Sequence, residues 1–171
     1  AVGADHPHPV TPQHLDHPVP LGLTSVRTAT PPRLDGLLDD PVWRAAGRAA
    51  DFTEYQPRDL GRPAVATEAF FAHDAENLYL AVICHDEPAG VRASLCERDR
   101  IWTDDYVIFM LDTYGTQTWA YELGVNPYGI HGDLLWSTSN GEDGGYDLVF
   151  RSAGRLTETG WQAELAVPFA S

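Results

Sequence analysis

The sequence predicts an all-β protein, a β-sandwich with at most short helices. Three observations carry this. Short apolar or alternating runs recur between Gly, Pro, Asn and Asp turn signals at a spacing of roughly 8–12 residues. Only one short stretch has the caps and composition of a helix. The 171 residues suffice for a single domain with a sizeable core.

Residues 1–23 stand apart as an extended arm. "DHPHPVTPQHLDHPVP" carries Pro7, Pro9, Pro12, Pro18 and Pro20, which forbid a helix. Its His6, His8, His14 and His17 could hold a metal, although such a tract is more often a solvated leader. Residues 24–171 form the sandwich. "LTSVRTA" alternates as a strand. "LDGLLDDPVWRAAG" is a turn and then a short helix, with Asp39 or Asp40 as cap, Pro41 in its first turn, Gly47 as its end and Trp43 facing inward. "RPAVATEAFFAHD" and "ENLYLAVICHDE" make a hairpin around Asp74 to Asn77. "EPAGVRASLCERDR" is a loop with a helical turn. "YVIFMLDTYG", "TWAYELGVNPYG", "IHGDLLWSTS", "YDLVFRSAGRLTETG" and "WQAELAVPF" follow as strands, the last two paired around Thr159 and Gly160. About eight to ten strands are expected in all. The run ends abruptly after Phe169, as in a domain cut from a longer chain.

The formal net charge is −14, and every basic residue is Arg. Such a chain repels phosphate backbones, so nucleic acid is not an expected partner; a neutral or cationic ligand is. Cys84 and Cys96 are too few for a disulfide framework and lack zinc spacing; they read equally as two buried thiols or as one bridge. No nucleophile elbow, zinc-protease helix motif, phosphate loop or dinucleotide turn is present. Carboxylates are too many to single out a glycosidase pair. No enzyme activity and no organic cofactor are therefore expected.

What remains is aromatic residues near turns, with carboxylates and amides around them. "RDRIWTDDYVIFMLDTYG" is the densest case. Its Val107, Phe109 and Leu111 lie on one side and Ile108 and Met110 on the other, so it reads as a strand apolar on both faces. Trp102 precedes it among polar residues and is expected to be partly exposed at a rim. Trp43 and Trp161 read as core.

"LDGLLDDPVWRAA", "ENLYLAVICHDEP", "DRIWTDDYVIFMLDT", "YELGVNPYGIHGD" and "GWQAELAVPF", in this order between Arg33 and Phe169, resemble carbohydrate-binding module family 9. More closely, they resemble the family-9-like, DOMON-like domain at the N-terminus of bacterial proteins that carry a predicted outer-membrane β-barrel behind it. The resemblance implies a non-catalytic, all-β domain, an immunoglobulin-like or jelly-roll β-sandwich, in the periplasm, at the outer membrane or outside the cell, anchored by the barrel that follows. It implies a sugar clamped between two Trp side chains with a Glu, an Arg and amides around it. Trp102 falls at one clamp position. Ile108 stands at the place of the Glu and Gly124 at that of the Arg, and the second Trp belongs to a late segment that this chain lacks. The candidate sugar contacts are Trp102, Asp104, Tyr121, Asn126 and Trp136, and weak or no binding of simple sugars is expected. The family's structural calcium would find oxygen donors among Asp104, Asp105, Asp143 and Asp147. Two other readings stand beside this one. The domain could be a docking module with an eroded sugar site. It could also resemble haem-binding relatives on the same sandwich, with Met110 and His131 as the available axial pair.

Overall fold

The computed structural model describes residues 22–54, 56 and 61–170. The Pro/His-rich arm lies outside the described residues, apart from Gly22 and Leu23. The described residues form β1 (Val26–Arg27), α1 (Pro41–Ala45), β2 (Gly47–Ala49), β3 (Ala66–His73), β4 (Asn77–His85), β5 (Val107–Leu111), β6 (Trp119–Val125), β7 (His131–Ser137), β8 (Gly141–Asp143), β9 (Arg151–Thr157) and β10 (Gly160–Pro168). Ten strands and a five-residue helix agree with the expected all-β sandwich. One sheet runs β1-β3-β4-β10-β9 with β2 paired to β3; the other runs β5-β6-β7-β8. Only β1 against β3 is parallel. No described helix is long and apolar enough to cross a membrane.

The six-stranded sheet is covered on both faces, and its sequence shows it. In β4, Leu80, Val82 and Cys84 face the second sheet, while Tyr79 and Ala81 face the segment that carries α1. A strand buried on both sides reads as a continuous apolar run. Phe71 of β3 meets Phe109 of β5 edge-on, with centroids 6.0 Å apart, across the sandwich interior. Trp161 lies in the same core, as expected.

The two hairpins form where the turn residues place them. Asp74 Oδ1 accepts the N–H groups of Glu76 and Asn77, and its Oδ2 accepts the Tyr79 hydroxyl. This sets the β3–β4 register. At the β9–β10 turn Gly160 has φ 129°, and a Cβ there would lie 2.0 Å from the Cys84 carbonyl oxygen. Only glycine fits that position.

The segment around α1 lies against the outer face of the six-stranded sheet, and a buried acid on β10 holds it. Glu164 Oε1 accepts the indole N–H of Trp43 at 2.8 Å, and Oε2 accepts the backbone N–H groups of Asp35 and Gly36 at 3.1 and 2.9 Å. Gln162 accepts the N–H of Leu38. Burial raises the pKa of Glu164 and outweighs these bonds. Asp40 holds the N-cap position but makes no cap bond, because its carboxylate accepts the N–H of Arg33 instead. Gly47 starts β2 rather than ending α1. "EPAGVRASLCERDR" forms isolated turns without a helix. Cys84 and Cys96 are both free thiols, and burial raises the Cys84 thiol to about 12.

Strand β5 departs from its reading as buried on both faces. It is the edge strand of the smaller sheet, whose outer face is covered only in part, by Ile101 and Trp102 over the glycine rung. Phe109 is buried while Met110 is 55% exposed.

Candidate functional site

The outer face of the four-stranded sheet gathers the side chains that can meet a ligand. The register puts Ile108, Gly124 and Gly132 on one rung, Met110, Glu122 and Leu134 on the next, and Ala120, Trp136 and Glu142 on the third. Alternation in a strand places these on the face opposite Phe109, Leu123 and Val125, which line the core.

Trp102 lies on the first rung. A Cβ added to Gly124 would come within 3.1 Å of its Cη2 and Cζ3, and one added to Gly132 within 2.9 Å of its Cζ2. The benzo edge of the indole therefore rests on a pad made by two paired glycines. Tyr106 meets the ring edge-on, with centroids 5.4 Å apart at 89°. Trp102 stays half-buried, in agreement with the expected rim position. The pad also explains the Gly at position 124: the long side chain that the family resemblance places there has no room beneath this ring.

Behind Trp102 a buried hydrogen-bond knot holds the backbone in place. Asp104 accepts the Ser94 N–H at 3.0 Å, the Ser94 hydroxyl and the Asn126 side-chain N–H at 2.8 Å. Asn126 also donates to the Ser94 carbonyl, and its oxygen accepts the N–H groups of Tyr128 and Ile130. Burial pushes the Asp104 carboxyl up, but the bonds from Asn126 and Ser94 outweigh it and keep the pKa low. Both side chains are buried and have their polar atoms engaged within the protein. They fix the chain two residues after Trp102 and do not face solvent. Asp105 is paired with Arg92, whose backbone N–H it also accepts.

Of the other candidates, Trp136 lies half-buried on the same outer face as Trp102, two rungs away. That separation is about 13 Å along the strand. Tyr121 points to the inner face, packed between Trp119 and Tyr146 with centroids 5.0 and 5.5 Å away. Asp143 accepts the Gly145 N–H in a turn, and Asp147 lies 3.3 Å from Arg98. Asp104, Asp105, Asp143 and Asp147 therefore form no common oxygen cage. Among the described residues the one group of three convergent carboxylates is Asp99, Asp133 and Asp147, and Arg98 is ion-paired with all three. Met110 and His131 lie on opposite faces of one sheet, and the His131 ring bonds Ser152 and packs on Phe150. They cannot ligate one iron.

The residue that sequence reasoning missed is Glu122, on the rung between Trp102 and Trp136. Only 4% of it is exposed, its Oε2 has no hydrogen-bond partner, and burial together with the nearby Glu142 raises its pKa to about 7. The available signal was an acid in the middle of the otherwise apolar "WAYELGV". A raised carboxyl adds stability that is full below its unfolded pKa of 4.5 and lost as pH rises through about 7. Relative to wild type, Glu122→Gln is thus expected to gain stability as pH goes from below 4.5 to above 7, by on the order of 3 kcal/mol. Denaturant midpoints of the two proteins across that range check this, and parallel curves would refute it.

No protein-family model and no curated protein matches the sequence. Solved structures do match in fold. One is a carbohydrate-binding module of family 9 from Caldicellulosiruptor kristjanssonii, in complex with cellotriose. It superposes with a TM-score of 0.60 at 18% identity, over 86% of this chain and 67% of that one. Another is a candidate carbohydrate-binding protein from Bacteroides uniformis, with a TM-score of 0.63 at 13% identity, over 87% of this chain and 74% of that one. The sandwich is therefore similar to that of family 9, in agreement with the resemblance read from the sequence.

Proposed function

We propose that the chain is a non-catalytic carbohydrate-binding module that takes its ligand on the outer face of the four-stranded sheet, along the line from Trp102 to Trp136. One observation carries this reading: two half-buried Trp residues on the same solvent side of one sheet, with the Glu122 carboxyl between them. Indole faces cover the C–H faces of a pyranose, and a carboxyl pairs with its hydroxyl groups. A fold shared with a module that holds cellotriose supports it. Trp136 then serves in place of the late Trp that the family resemblance calls for. Within the same proposal the module works in the periplasm or at the cell surface, ahead of an outer-membrane β-barrel; this part rests on the sequence resemblance alone.

Ile108 and Gly124 offer a neutral sugar no hydrogen bonds, so its hydroxyls lose water without replacement at a cost of roughly 1–3 kcal/mol each. Affinity for cello- and xylo-oligosaccharides is therefore expected to be weak. Calorimetry at high ligand concentration tests this. Trp102→Ala is expected to weaken binding by at least about tenfold, through loss of a desolvated aromatic contact, and the oligosaccharide should be recovered uncleaved. Binding that is indifferent to Trp102→Ala and Trp136→Ala would overturn the site. No binding to any glycan would favour a docking role for the domain.

A further inference from the structure

Resting on the carbohydrate-binding reading, we infer that the ligand carries a positive charge, as in a glycan of unacetylated amino sugars, and that Glu122, Glu142 and Trp136 form the subsite that receives its ammonium group.

The argument begins with an unmet need. Glu122 is almost wholly buried, and its Oε2 has no hydrogen-bond donor in the protein. A buried carboxyl without a partner is costly unless something supplies one. Its neighbours on the rung, Met110 and Leu134, have no donor to offer. Strand alternation points the side chain outward from the sheet, toward the ligand face and away from the core. Among the described residues none donates to Oε2, and a ligand group entering over this face would supply the donor.

The surroundings decide what kind of donor fits. Glu142 on β8 lies opposite Trp136 on β7, and Trp136 is diagonal to Glu122, a step of about 7–8 Å in a sheet. Glu142 acts on Glu122 with like sign. Elsewhere on the chain, carboxylates have found cations: Arg92 serves Asp105, Arg98 serves Asp133, and Arg48 serves Glu68. Here Glu122 and Glu142 flank the indole of Trp136, and among the described residues neither is paired with an Arg. An ammonium group would donate to both acids and could lie against the ring face of Trp136. A neutral sugar hydroxyl would leave the repulsion between the two acids unrelieved. The formal net charge of −14 adds a long-range attraction for a polycation.

Calorimetry of the 171-residue chain tests this with four tetrasaccharide probes: glucosamine tetramer, its N-acetylated form, its N-trimethylated form and cellotetraose. The glucosamine tetramer, which brings both charge and N–H donors, is expected to bind at least about tenfold more tightly than the two neutral probes, and the trimethylated tetramer, which keeps the charge and the contact with the indole but has no N–H to donate, to fall between them. For the trimethylated probe, whose charge does not titrate, affinity should climb as pH rises through the ionisation of Glu122. In Glu122→Gln, with its folding verified by a thermal melt, the charged probes should fall to the level of the neutral ones and the climb with pH should vanish. Glu142→Gln should give a smaller loss of the same sign. If the neutral tetramers bind as tightly as the charged ones in a Trp102-dependent way, the charge inference fails and the carbohydrate reading stands. If charged probes bind but Glu122→Gln changes nothing, the subsite is misassigned. If no probe binds, both readings fail.

Discussion

Glu164→Ala is expected to lower the free energy of unfolding by about 3–5 kcal/mol, enough to move the melting point down by roughly 10 °C. The glutamate is fully buried on β10 and accepts three hydrogen bonds, from the Trp43 indole and from the backbone of Asp35 and Gly36. Truncation leaves all three donors facing a void. A buried donor without an acceptor costs about 1–3 kcal/mol, and the cavity adds to this. The damage should extend beyond one residue, because these bonds hold the segment from Leu34 to Ala46 against the six-stranded sheet. Trp43→Phe makes a useful comparison: it removes one donor and keeps most of the packing, so about 1 kcal/mol is expected. Chemical denaturation of both variants decides this. Equal, small losses would mean that packing holds the segment and that Glu164 adds little.

Asn126→Ala should cost about 3–4 kcal/mol and should also impair the site. The buried amide donates to Asp104 and to the Ser94 carbonyl, and accepts from the N–H groups of Tyr128 and Ile130. Its loss opens the turn between β6 and β7 and deprives the Asp104 carboxylate of one of its donors. Asp104 ties residue 94 to the approach of β5, where Trp102 lies on its glycine pad. Trp102 should therefore become mobile. The Asn126→Ala protein should show red-shifted or more readily quenched Trp emission as well as a lower melting point. Unfolding at a lower temperature with an unchanged Trp102 environment would make Asn126 a stability residue with no bearing on the site.

The smaller effects expected for Glu122→Gln and Trp102→Ala separate two roles that sequence reasoning merged. Trp102, Asp104, Tyr121, Asn126 and Trp136 were grouped as sugar contacts because aromatics and polar residues crowd that region. Chain order cannot say which side of a sheet a residue takes when both sides carry apolar or aromatic residues. In "TWAYELGVNPYG" the pattern allows Tyr121 or Glu122 to face out, and only pairing with β5 and β7 resolves it. Asp104 and Asn126 look available in one dimension; in three they satisfy each other.

Several features were determined by the sequence alone. Turn residues at regular intervals between apolar runs required a sandwich. Asp74 to Asn77 and Thr159-Gly160 placed the two hairpins, because local backbone geometry and short side-chain bonds decide such turns. Trp43 and Trp161 were legible as core, and Trp102, preceding its strand among polar residues, as partly exposed. The tertiary structure alone decided that β5 is an edge strand with Met110 exposed, that Gly124 and Gly132 meet as a floor for Trp102, and that Glu122 lies buried without a partner between two Trp residues. Each of these depends on which strands become neighbours. Strand pairing joins residues distant in sequence, and a shift of one residue in register would turn every side chain of the strand to the opposite face.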